Sequence, residues 1–400
     1  MKRERRYTIH IVVGMMLAAA MALYFATEFA GGQFLGRGEG ILTFMPVGAH
    51  VEFDMASGAR FHAPGGRGFF YVTRDAIRFV NDDGRIQMIE MFSVPKQDPL
   101  LVGEGGVVGV YDPGGHYVYI FNNRGLMHSQ SFENPIVNFA INARGYSAIV
   151  TKRDNDYETF VYNPNGGRTW RRVDSEVMVL SVAISPDGRI LAMGALDTGG
   201  VQANSIMTFF YLDQQEAAPY SDTIFASLRG ENIPELNNQI FGIIRFLDGN
   251  NLVVITDRSV FGISEAQPSR PAWVMPLNNY PDAVAFHGSH VALAMGRGKL
   301  NRTAEPMGRV ILLDTQGYRV WEYDTNERVQ SLDLSPHGVV IGRGRRFTAI
   351  NQRNQHLWDF EAVFDSRAVI FLDSAERILL QTGTDATVMR LVRVSGGVGD

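Results

Sequence analysis

Short apolar runs alternate along most of this chain with clusters of Gly, Asn, Asp and Pro. The runs are rich in Val, Ile, Phe and Tyr. Beyond the N-terminal segment none sustains a 3.6-residue period, so the pattern predicts β-strands joined by tight turns. A longer period overlies the first. Asn81-Asp82-Asp83-Gly84, Asn122-Asn123-Arg124-Gly125, Asn163-Pro164-Asn165-Gly166, Asp314-Thr315-Gln316-Gly317 and Asn351-Gln352-Arg353-Asn354 share one design. Each opens on a side chain that can bond its own backbone and ends on a residue type that tolerates a left-handed conformation. Seven positions after the first residue stand Trp170, Trp321 and Trp358 in three copies, and Met88 and Ser129 in the other two. This is one hairpin with a packing residue on its return strand, made repeatedly, and a repeat of this length means a propeller or a solenoid.

With the turn as a ruler, units fall near residues 59–92, 99–132, 135–173, 179–227, 240–277, 281–325, 328–360 and 363–395. In the fourth, fifth and eighth the turn drifts to Asp213, Ser264 and about Arg393. Each unit reads as four short strands; the fourth shows 179–185, the turn Pro186-Asp187-Gly188, 189–195, a loop, and 206–212. Ser185-Pro186-Asp187-Gly188 and Ser335-Pro336-His337-Gly338 are equivalent first turns, with Pro pre-setting φ and Gly where the chain reverses. The eighth unit has only three convincing strands, 368–372, 378–381 and 388–394, and its missing outer strand is available at 41–44 or 47–53. Pairing these ends closes a ring and removes an exposed edge. The predicted fold is therefore all-β: an eight-bladed β-propeller of four-stranded antiparallel blades over residues 41–395, with a short tail at 396–400. Seven blades remain if the first or fifth unit is misread.

The N-terminus is a separate device. Lys2, Arg3, Arg5 and Arg6 lie in a basic tail, residues 1–8, ahead of an uncharged stretch at 9–25. Taken as a helix over 9–30, it predicts a single-pass signal anchor with the N-terminus in the cytoplasm and the propeller outside. Ala20-Met21-Ala22 offers a cleavage site, and the apolar run continuing through Leu23, Tyr24 and Phe25 favours retention. Residues 31–40 hold five glycines and read as a flexible stalk, reaching roughly 17 Å as a random coil. The formal charge of the whole chain is −5, and residues 31–400 carry about −7, which argues against nucleic acid or anionic lipid as the main partner.

The motifs also carry a resemblance. Ser-Pro-Asp-Gly-Arg-Ile-Leu-Ala at 185–192 looks like the opening of a WD40-type blade, and Asp314-Thr315-Gln316-Gly317 with Trp321 looks like the tryptophan-docking repeat of quinoprotein-like propellers. The layout of anchor, stalk and ring resembles an uncharacterised bacterial family of membrane-anchored propellers of unknown function. The resemblance implies fold and location rather than activity, and scaffolds of envelope assembly among similar propellers are an analogy only.

Little chemistry is legible. There are no cysteines, which excludes disulfides, thiolate metal sites and the vicinal pair common in quinone-cofactor dehydrogenases. No Gly-x-Ser-x-Gly and no phosphate-cradling loop occurs. First-strand positions, which line the channel, are mostly apolar, as in Val179-Leu180-Ser181-Val182-Ala183-Ile184. Asp154, Asn155 and Asp156 lack the calcium-loop spacing, and His287 and His290 bracket a turn, so no metal or cofactor is predicted. In a meander, first–second and third–fourth turns share one face, and the long segments 152–158, 196–205, 214–239 and 296–308 are expected on the other. That long-loop face is the expected interaction surface, with Asp154, Asp156 and Tyr157, the basic cluster Arg297, Lys299 and Arg302, and Arg343 and Arg345 beside Arg346 as candidates. The reading is a non-enzymatic module that binds an envelope protein or polymer. The alternative is a propeller enzyme, a quinoprotein-type dehydrogenase or a hydrolase or lyase, acting at the central channel.

Overall fold

The computed structural model describes residues 41–53, 59–64, 68–81, 83–92, 96–199, 204–212, 224–296 and 308–394. The anchor, the stalk, the tail, and Arg297, Lys299 and Arg302 lie outside them. No described helix is long and apolar enough to cross a membrane.

The expected repeat is present as eight four-stranded antiparallel sheets, each ordered from an inner first strand to an outer fourth. Blades 1 to 7 span residues 60–91, 100–131, 136–174, 177–229, 241–276, 283–325 and 331–361. Blade 8 takes its inner three strands from Ser366–Ser374, Arg377–Thr382 and Asp385–Val394 and its outer strand from the N-terminal Ile41–Glu52. Both candidate closing segments belong to this one strand. It pairs from Ile41 opposite Val394 to Glu52 opposite Asp385, with an irregularity between Pro46 and His50. An outermost strand tolerates Pro46, because a missing donor on the free edge breaks no ladder bond.

The turns form for the chemical reason their composition implies. The Asn163 carboxamide oxygen accepts from the Asn165 and Gly167 amides, both at 3.0 Å. Asp314 and Asn351 repeat this with the amides of Gln316 and Tyr318, and of Arg353 and Gln355. The last turn residue is left-handed, with φ of 80° at Gly166, 78° at Gly317 and 61° at Asn354. A register irregularity follows the turn in blades 3, 6 and 7, so that Trp170, Trp321 and Trp358 stand opposite Val161, Leu312 and Ala349. Blade 2 departs from the counted spacing. There Asn122 pairs directly with Gly125, and the position opposite Ile120 is filled by His128 rather than Ser129. The tighter turn moves the packing position one residue earlier, where His128 meets Gly166 of blade 3.

Blades adhere through apolar faces, and each of the eight interfaces has its own buried cluster. At the closure, Ala49, Leu372, Leu379 and Val388 of blade 8 meet Phe69, Tyr71 and Val80 of blade 1. On its other side Phe44 lies edge-on to Trp358 and Phe360, with ring centroids 4.9 and 5.2 Å away. Tryptophans of outer strands also donate to the next blade: Trp273 Nε1 reaches the Thr315 carbonyl at 2.9 Å and Trp358 Nε1 the Ala375 carbonyl at 2.7 Å.

Two loop expectations change. Asp154 and Asn155 alone form the turn between Ser147–Arg153 and Asp156–Tyr162, so 152–158 is mostly strand. The segment 214–239 divides between faces. Ile224–Arg229 is the fourth strand of blade 4, following the third strand Asn204–Tyr211, so of this segment only 230–239 belongs to an inter-blade connection on the expected face. The half-exposed Ile224–Arg229 lacks the apolar run that would have marked it as a strand.

Two substitutions test this packing. Phe44→Ala, which empties a buried site at the closure, should lower the unfolding free energy by about 3–5 kcal/mol in denaturant titrations; a loss under about 1 kcal/mol would show that the closing strand is dispensable. Gly317→Ala places a methyl against the Trp273 ring at a left-handed position, and a loss of about 1–3 kcal/mol is expected.

Candidate functional site at the channel mouth

The first strands converge on the ring axis, where their ends and following turns line a cavity of about 510 Å³. All eight blades contribute to it, and its size is that of a small-ligand pocket. Pro186, Gly105, Gly288 and Pro336 among its lining residues belong to first–second turns, so the cavity sits at the Asn-turn face, opposite the expected long-loop surface.

Its wall is more polar than the inner strands promised. Leu100–Glu104 carries Glu104 as its last residue before the Gly105-Gly106 turn, and Phe241–Phe246 carries Arg245. Arg245 Nη2 meets Glu104 Oε2 at 2.8 Å, joining blade 5 to blade 2 across the axis. Burial pushes the Glu104 carboxyl above the usual range, Arg245 draws it down, and the charge of Asp248 in the neighbouring turn pushes it up again. Asp248 is fixed by its backbone amide, which donates to the Gly288 carbonyl at 3.0 Å.

Three further groups complete the wall. Asp333, on Ser331–Ser335 of blade 7, accepts from the Phe371 amide of blade 8 at 2.9 Å. Burial nevertheless holds its carboxyl up at about 6. The His62 ring spans from blade 1 to the Gly105 carbonyl at 3.0 Å, with burial lowering its basicity. A side chain at Gly103 would collide with this ring, so the glycine is what admits it. His287 is likewise lowered, first by burial and then against the opposing charge of Asp248. Chemically the site holds one guanidinium, paired with Glu104, and two further carboxyl groups, of which Asp333 has a raised proton affinity. Among the described residues, no three or more His, Asp or Glu side chains converge as metal ligands.

The expected site residues lie elsewhere. Asp154 is exposed at a left-handed φ of 50°. Asp156 is half-buried, and Tyr157 is buried in the cluster between blades 3 and 4, because strand alternation turns its ring inward. Arg343 and Arg346 flank the short turn of blade 7 on the expected face. Arg343 donates to Thr348 at 2.6 Å, Arg345 to the Ala362 carbonyl at 2.8 Å, and Arg346 pairs with Glu327 at 2.6 Å, so much of this basic run is engaged locally. Sequence reading missed Glu104, Arg245 and Asp333. The available signal was a single charge interrupting an apolar first strand.

The geometry agrees with comparisons to known proteins. The chain is similar in fold to BamB from Moraxella catarrhalis, with TM-score 0.51, 13% identity, and 87% of this chain and 98% of that one covered. It is also similar to Saccharomyces cerevisiae Sqt1, with TM-score 0.59, 10% identity and coverage of 88% and 99%. The C-terminal WD40 domain of Sif2 gives TM-score 0.59, 11% identity and coverage of 86% and 99%. At such identities the likeness is one of fold alone. No curated protein matches the chain. Residues 46–391 match the profile of DUF5711, and with so much of its length matched the chain belongs to that family, a family of unknown function.

Proposed function

We propose that this protein is a non-enzymatic interaction module of the bacterial cell envelope, anchored by its N-terminal helix, with the ring extracytoplasmic and its long-loop face turned to a protein or polymer partner. The observation that carries the reading is a pair of long second–third connections on one face. Asp197 to Asn204 in blade 4 and Gly296 to Gly308 in blade 6 are both second–third connections. They share that face with Asp154 and with the turn holding Arg345. Long connections on a rigid frame are where binding residues concentrate. The Gly296–Gly308 connection carries Arg297, Lys299 and Arg302 in an otherwise acidic ectodomain, which favours an anionic partner surface.

A second reading is favoured by one observation: Glu104, Asp248 and Asp333 line a single cavity. A hydrolase or lyase at the channel would need carboxyl groups of different proton affinity, and the cavity is lined by Asp333, raised by burial to about 6, and by Glu104, which is paired with Arg245.

Each reading has its measurement. Reversing the charge of Arg297, Lys299 and Arg302 should cut partner recovery after crosslinking in intact cells by roughly tenfold, and unchanged recovery dismisses the cluster. Carbonate extraction should leave the full-length chain in the membrane; release of a shortened protein defeats the anchor. For Asp333, the folded carboxyl lies above the ordinary 3.8, at about 6. The folded state therefore holds an extra proton between these values, and stability falls as pH rises through that window, by about 3 kcal/mol at most. Asp333→Asn should flatten this slope in melting profiles, and parallel profiles would show that the carboxyl titrates normally.

A further inference from the structure

We propose that the Asn-turn face of the ring, with the channel mouth at its centre, lies against an anionic lipid surface; this rests on the anchor reading above. The tether has one point of entry. Ile41 stands opposite Val394, the last described residue of the third strand of blade 8. In the other blades that end of the third strand leads into the third–fourth turn, so the chain enters the ring at the rim of the Asn-turn face. The ten residues before Ile41 can span at most about 36 Å even when fully extended, which on the anchor reading keeps this rim near the lipid.

The charges agree with that placement. Arg85, Arg124 and Arg353 are exposed in or beside the Asn turns and have no acidic partner among the described residues. Asp83, Asp248, Glu265 and Glu376, also exposed on this face, offset much of that charge. On the opposite face the exposed side chains without an oppositely charged partner among the described residues include Glu133, Glu176, Glu235 and Asp365, together with Arg74, Lys152, Arg153 and Arg367. Both faces carry charges of both signs, and the arginines Arg85, Arg124 and Arg353 stand on the face where the tether enters. Guanidinium groups near a surface rich in anionic lipid are attracted over about a Debye length. Ile86, Leu126 and Tyr318, at 53%, 43% and 72% exposure, sit at the roots of outer strands on this face and supply apolar tips suited to the headgroup boundary.

The chain has no cysteine, so single sites can be labelled without background. Tyr318→Cys and Phe364→Cys replace exposed rings on the two faces. Full-length protein carrying a fluorophore at either site is reconstituted in vesicles of phosphatidylcholine and phosphatidylglycerol that contain a headgroup-nitroxide lipid. The label at position 318 should be quenched roughly threefold more than that at 364, and replacing Arg85, Arg124 and Arg353 by Glu should narrow the difference. Protein that floats with the vesicles but shows equal or reversed quenching overturns the orientation and leaves the anchor standing. Protein that does not float overturns both.

Discussion

Every blade of this ring presents two faces that must be covered by neighbours, and the fold depends on the one place where covering requires both ends of the chain. Seven blades are continuous in sequence and assemble from local hairpins. The eighth is stitched from Ile41–Glu52 and Asp385–Val394. Without that pairing, blade 8 has a bare third strand, the cluster around Phe69 and Leu379 loses Ala49, and the Trp358 ring loses Phe44. The hydrophobic effect supplies the attraction at each interface, but closure makes the eight interfaces mutually dependent.

The axis shows the converse. Apolar residues are spent between blades, while the inner strands, having no partner sheet across the channel, admit charge. Glu104 and Arg245 resolve their burial by meeting each other across the opening, and Asp333 resolves its own by backbone donors and a raised proton affinity. Such polar groups at the centre of a rigid ring are pre-organised, since each is fixed to a different blade.

What was legible in the sequence follows a simple physical division. The Asn turns and their glycines obey local backbone chemistry, so blade number, turn position and the incomplete eighth unit could be read directly. His128 could not be found by counting, because a turn one residue shorter shifts the packing position. The outer strand Ile224–Arg229 escaped because a half-exposed edge needs few apolar residues, and its omission misplaced the loop before it. The Glu104–Arg245 pair was invisible for a deeper reason: these residues stand far apart in sequence and meet only because ring geometry sets blade 2 against blade 5. Tyr157 illustrates the same limit in reverse, a residue that looks exposed in a polar segment until strand alternation buries it.

The closing strand also determines how the molecule bears load. A pull transmitted from the N-terminal side enters at Ile41 and runs along the strand axis, away from the ring face on which it emerges. Its hydrogen bonds to Asp385–Val394 are therefore strained together in shear, rather than peeled one after another from a free end. The seam made by the two ends of the propeller is thus oriented so that tension applied at Ile41 is met in shear.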